Sequence, residues 1–285
     1  MIMDRLHEEV KRRGPVCVGL DTDYGYLPEH IKGQDASAAE KLVTFNKRVI
    51  EATKEYAACF KVQIAYYEAL GVEGMKAYKE TLKAIRKAGK ISIGDIKRGD
   101  ISATAKMYAK GHFEGDFEAD MITVNGYMGE DAVSPYYEYL EEKDKGLFVL
   151  LRTSNKSAVD FQDLQNGGRT NYEQMGHLIE KWGSRFVGQS GYSSIGSVVG
   201  LTYPQELEEM QKKFPNMFFL VPGYGAQGGR GKDFAKVFQQ SLCGVVNSSR
   251  GIITAHQKKG ADRDFEQEIA GAAKEMKEDI VQWLK

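Results

Sequence analysis

Eight short apolar runs, most of them followed by a helical pattern, set the tightest limit on what this 285-residue chain can fold into. The first is Val16-Cys17-Val18-Gly19-Leu20, ending at Asp21 and Asp23. Next come Ala58 to Ile64, Ile91 to Asp95, Met121 to Asn125 and Leu147 to Leu151. The last three are Ile195 to Leu201, Phe218 to Val221 and Gly244 to Asn247. Near-continuous apolar runs of this length are the pattern of strands buried on both faces, as in a parallel sheet. Between them, Leu42, Phe45, Val49, Ala52 and Tyr56 form one stripe of a helix spanning about Ser37 to Tyr56. Met75, Tyr78, Leu82 and Ile85 do the same before Gly89, which reads as a helix stop. Helices are also expected at Ile101–Lys110, Pro135–Glu142, Tyr172–Arg185 and from Pro204, with a last one carrying Phe265, Ile269, Ala272, Met276, Ile280 and Trp283. Eight strand-helix units with no second set of elements point to an α/β fold, a single (β/α)8 barrel over residues 1–285. An open doubly wound sheet would place a Gly-rich turn after its first strand, and this chain has Asp21 and Asp23 there.

Barrel active sites lie at the carboxyl ends of the strands. Here those ends carry Asp21, Lys61, Asp95 with Lys97, Ser154, Gln227 and Arg250. Lys61 sits inside an apolar run, where an unpaired ammonium would lose its charge or destabilise the strand. Residues two apart in a strand share a face, so Asp95 and Lys97 are expected to project together, with Asp100 just past the strand end. An alternating array Lys61–Asp95–Lys97–Asp100 is formally neutral and therefore tolerable in a half-buried pocket. The seventh and eighth ends read as an anion site. Gly223, Gly225, Gly228 and Gly229 free backbone N–H groups to face a ligand, Gln227 can donate from its amide, and Arg250 can grip two phosphate oxygens.

The bulk properties narrow the partners. A net charge of −1 advertises neither nucleic acid nor an anionic membrane. Met1 to Gly14 is charged and lacks the apolar core of a signal peptide, and no run nears the ~18 apolar residues of a membrane span. Cys17, Cys59 and Cys243 are odd in number and lie in apolar runs, as reduced core cysteines of a cytoplasmic protein would. The five histidines show no metal-ligand spacing.

The ordered set Gly19-Leu20-Asp21, Phe60-Lys61, Asp95-x-Lys97-x-x-Asp100-Ile101-x-x-Thr104, Arg152-Thr153-Ser154-Asn155, Pro222-Gly-x-Gly-Ala-Gln227-Gly-Gly and Arg250-Gly251 resembles the orotidine 5′-monophosphate decarboxylases over nearly the whole chain. The wording around Ser154 and the long excursion after it look like the bacterial branch of slightly longer enzymes. The resemblance implies a TIM barrel that converts orotidine 5′-monophosphate to UMP and CO2, the last step of UMP synthesis, without a cofactor or metal. It implies catalytic roles for Lys61, Asp95, Lys97 and Asp100, with Lys97 protonating C6 of the pyrimidine. It assigns Asp21 and Thr104 to the ribose, Ser154 to the pyrimidine edge, and Gln227 and Arg250 to the phosphate. It also implies a homodimer in which Asp100 and Thr104 reach the partner's site. Ser249 stands before Arg250 where many relatives carry glycine. A sister reading, an Mg-dependent phosphosugar decarboxylase or aldolase on the same barrel, wants a carboxylate where this chain has Lys61, and an ammonium cannot ligate a metal. A catalytically silent barrel that binds a nucleotide is the reading from another class.

Overall fold

In the computed structural model, which describes residues 1–200, 204–225, 229–239, 241–260 and 262–284, all eight apolar runs become parallel strands. The barrel strands are Val16–Gly19 (β1), Cys59–Gln63 (β2), Ile91–Arg98 (β3), Met121–Val124 (β4), Gly146–Arg152 (β5), Ile195–Val199 (β6), Phe219–Pro222 (β7) and Gly244–Ser248 (β8). Each pairs with its sequence neighbours, and β1 closes the ring by pairing with both β2 and β8. Closure leaves the barrel without a sheet edge, so its ladder N–H and C=O groups can be satisfied inside the sheet wherever the register is unbroken.

The helices form where the apolar stripes require them. Ala38–Thr53 begins at a capping box in which Ser37 and Glu40 exchange hydrogen bonds, and it buries Leu42, Phe45, Val49 and Ile50. Each of those side chains contributes about 1.5–3 kcal/mol by leaving water. Gly71–Lys87 packs beside it and ends at Gly89, whose φ of 68° is the left-handed stop read from the sequence. Further helices span Ser102–Phe113, Tyr137–Glu142, Asn171–Gly183, Pro204–Lys213, Gly231–Phe238 and Phe265–Val281. Trp283 departs from expectation: the last helix stops at Val281, and the indole lies 43% exposed beyond it. The charged N-terminus folds as the helix Ile2–Arg13, which buries Ile2, Met3, Leu6 and Val10 against β8 and the start of β5. All three cysteines are free and buried.

The excursion after β5 holds a two-stranded hairpin, Gln165–Asn166 with Arg169–Thr170. Arg152 anchors it. The guanidinium, 3% exposed at its side chain, pairs with Asp163 at 2.9 Å and with Glu206 at 3.1 Å, and lies over the Tyr172 ring.

Candidate active site

Strand register brings the charged groups together. Gly19 lies opposite Lys61, and Gln63 lies opposite Asp95, so β1, β2 and β3 deliver their polar side chains to one end of the barrel. Lys61 Nζ donates to Asp21 Oδ1 and to Asp95 Oδ2, each at 3.0 Å. Lys97 Nζ donates to the other Asp95 oxygen at 2.5 Å. Gln63 Nε2 at 2.8 Å and Thr123 Oγ1 at 3.0 Å complete the Asp95 shell. Four donors converging on two oxygens require an ionised carboxylate, since a protonated one would have to donate in turn.

The electrostatics agree with that count. Burial would by itself raise the Asp95 carboxyl, but the Lys61 and Lys97 ammoniums outweigh it and hold the group well below the usual carboxylate range. Burial would likewise lower Lys61, yet Asp95 and Asp21 hold its ammonium above the ordinary lysine range. The Lys61 and Asp95 side chains are 5% and 8% exposed, whereas Lys97 is 45% exposed. One charge of the array therefore faces the mouth of the barrel while its partners stay fixed behind it.

Asp100 departs from the expected four-membered array. Its carboxylate accepts from the N–H of Ile101 at 2.8 Å, and among the described residues it forms no ion pair. Within one chain the alternating array is Asp21–Lys61–Asp95–Lys97, which is also formally neutral. Asp100 lies in the short connection between the end of β3 at Arg98 and the helix that starts at Ser102. Thr104 lies exposed on that helix.

Ser154 follows β5, half-buried. The residue before it is clamped, because Thr153 donates its N–H to Gln162 Oε1 at 2.9 Å and Gln162 Nε2 donates back to Thr153 Oγ1 at 2.6 Å. At the far side, Gly223 and Gly225 adopt φ of 119° and 72°, values open to glycine, and Gly225 N–H bonds the Gly229 carbonyl at 3.0 Å. Gln227 lies outside the described residues. Arg250 is exposed at the start of the short helix Arg250–Ile253, where Tyr224, Gly225, Gly251 and Lys258 line with it an open cavity of about 540 Å3.

Three side chains of the site went unassigned in the sequence. Gln63 could have been found, because it stands two residues after Lys61 and so shares its face. Ser249 stands out in the sequence only as a departure from glycine, and its hydroxyl donates to Asp21 Oδ2 at 2.9 Å. It occupies space that only glycine at position 19 leaves free, since a Cβ there would come within 1.9 Å of Ser249 Oγ. Thr123 carried no signal, being one hydroxyl in an apolar strand.

The fold and the array together define a (β/α)8 barrel with a half-buried chain of alternating charges at the carboxyl ends of β1 to β3 and, adjoining it through the β1–β8 pairing, a glycine-rich, arginine-bearing face at the ends of β7 and β8. Residues 14–265 match the orotidine 5′-phosphate decarboxylase / HUMPS family, and the chain belongs to it. An orotidine 5′-phosphate decarboxylase of Clostridium perfringens is 52% identical over 266 residues, 93% of each chain. One from Clostridium acetobutylicum is 50% identical over 282 residues, covering 98% of this chain and 99% of the relative. Among solved structures, the OMP decarboxylase of Leishmania donovani is 33% identical, with a TM-score of 0.76 over 99% of this chain and 98% of that one.

Proposed function

We propose that this chain is a carboxy-lyase that converts orotidine 5′-monophosphate to UMP and CO2, with Lys97 as the proton donor and no cofactor. The observation that carries the reading is the Asp95 carboxylate clamped between two ammoniums, one buried and one open to the barrel mouth.

The chemistry asks for such an arrangement. Breaking the C6–carboxylate bond leaves the electron pair on C6 of the pyrimidine, with no adjacent group to delocalise it. The barrier must then fall by electrostatic stabilisation from fixed charges. The Lys97 ammonium is preset at that position and transfers a proton to C6 as CO2 departs, and solvent returns a proton to the amine. Asp95 holds Lys97 in place and Lys61 holds Asp95, so little reorganisation is needed at the moment of reaction. Asp21, set by Lys61 and Ser249, takes the ribose hydroxyls, and Ser154 reads the pyrimidine edge. Gln227 and Arg250 hold the phosphate, whose binding energy is realised in closing the site.

In this reading residues 1–285 form one barrel domain working as a cytoplasmic homodimer, with Asp100 and Thr104 contributed across the subunit interface. Their exposure and the lack of an ion pair on Asp100 among the described residues support that assignment. So do the exposed apolar side chains Ile101 and Met107 on the same segment. Among the described residues no helix is long and apolar enough to cross a membrane.

The test is loss of ultraviolet absorbance when orotidine 5′-monophosphate meets EDTA-treated protein, beside Lys97→Ala. Turnover to UMP that EDTA leaves untouched and Lys97→Ala abolishes is the expected result. Turnover only after Mg2+ is added, or none at all, sinks the reading.

A further inference from the structure

Thr123 is 1% exposed in the middle of β4, and its single hydroxyl touches three consecutive residues of β3. Its oxygen accepts the N–H of Ile96 at 3.0 Å and of Lys97 at 2.9 Å, and the hydroxyl donates to Asp95 Oδ1 at 3.0 Å. A threonine hydroxyl has one proton and two lone pairs, so all of its bonding capacity is committed. With both lone pairs occupied by peptide groups, the proton has only the Asp95 carboxylate to point at.

These contacts fall where the β3–β4 ladder is broken. Regular pairing runs through Gly94 opposite Ile122 and resumes at Arg98 opposite Val124, with a shift of register between them. Within the gap Lys97 adopts a φ of 46°, in the left-handed region that non-glycine residues rarely enter and that persists only when the surroundings hold it there. The Thr123 oxygen supplies the acceptor that the interrupted ladder withholds from residues 96 and 97. The same atom that pins the left-handed turn thus also fixes the carboxylate to which the Lys97 ammonium is tied.

We propose that Thr123 is a positioning residue for the decarboxylation step: its hydroxyl locks the 95–97 turn and so aims the Asp95–Lys97 pair at the reacting carbon. The inference rests on the reading that Asp95 and Lys97 carry the chemistry. Without the hydroxyl, residues 96 and 97 lose their acceptor, the turn relaxes toward ordinary extended backbone, and the ammonium approaches C6 from a different direction. The substrate's ribose and phosphate are held elsewhere, so the defect falls on turnover rather than on binding.

The experiment compares Thr123→Val, which removes the hydroxyl at nearly constant volume, with Thr123→Ser, which keeps it. Steady-state kinetics with orotidine 5′-monophosphate are read beside UMP affinity by calorimetry and beside Lys97→Ala. A misalignment of about 1 Å is enough to lower kcat about 100-fold, with KM and UMP affinity held within about threefold and Thr123→Ser within about fivefold of wild type in kcat. A Thr123→Val enzyme with wild-type kcat overturns the proposal, as does one whose loss appears equally in UMP affinity and is not rescued by serine. If the valine variant does not fold, Thr123→Ala is judged by the same split between kcat and UMP affinity. A Lys97→Ala enzyme that still turns over overturns the reading beneath the proposal. A dead Lys97→Ala beside a fully active Thr123→Val overturns the proposal alone.

Discussion

Replacing Lys61 by methionine keeps an unbranched chain out to the ε position and deletes the ammonium at the centre of the array. Two contacts of 3.0 Å disappear, to Asp21 and to Asp95, and Asp95 stays only 8% exposed. Stranding one member of a buried ion pair typically costs about 3–5 kcal/mol. Asp95 keeps Lys97, Gln63 and Thr123 as donors, and Asp21 is near enough to solvent to rehydrate, which favours the lower end, about 3 kcal/mol. For a chain of this size that corresponds to roughly 6 °C in Tm. Urea unfolding followed by circular dichroism, at one fixed protein concentration, gives the difference directly.

The pH dependence of that difference separates the electrostatic account from simple loss of packing. Asp95 has a depressed pKa in the folded state, so its stabilising contribution is fully present above the ordinary aspartate value of about 3.9 and is lost as the pH falls below it. Lys61 has a raised one, so its contribution is present below the ordinary lysine value of about 10.4 and is lost as the pH rises beyond it. The gap between wild type and Lys61→Met should therefore be flat from about pH 5 to 9 and narrow on either side. A gap below about 1 kcal/mol at pH 7, or one that widens in acid, would refute the reasoning.

Two further outcomes follow from the geometry. Gln162→Ala removes both hydrogen bonds to Thr153, each worth about 1 kcal/mol net, so UMP affinity should fall by up to about thirtyfold while that for ribose 5-phosphate, which lacks the base, is unchanged; calorimetry with both ligands decides it. If the proposed homodimer shares its sites, Lys97→Ala and Asp100→Asn should each be nearly inactive alone, yet mixing the two under exchange should restore roughly a quarter of wild-type activity, since half of the dimers then carry one intact site of two. No recovery on mixing would place Asp100 outside the partner's site.

Much of the architecture could be read from local pattern. The eight apolar runs are the eight strands, and the Ser37 and Gly89 boundaries match because capping and left-handed stops are properties of a few adjacent residues. The N-terminal helix escaped notice because its polar face dominates the composition of a short segment. The identities of Asp21, Lys61, Asp95 and Lys97 were also legible, because a charge inside or just after an apolar strand must find a partner. Within the chain Asp100 pairs with the backbone of Ile101 rather than with the array, since it lies past the end of β3 at Arg98, outside any strand register.

The sequence by itself determined the strand count, the parallel barrel and the end of it that gathers charge, since these follow from burial and periodicity over a few residues at a time. Only the tertiary structure decided how the charges are aimed. The left-handed turn at Lys97, its lock on Thr123 some 28 residues from Asp95, and the Ser249 hydroxyl reaching Asp21 across 228 residues of sequence depend on barrel closure and strand register. A hydrogen bond is set by ångström distances between atoms of different strands, and no pattern within one strand specifies them.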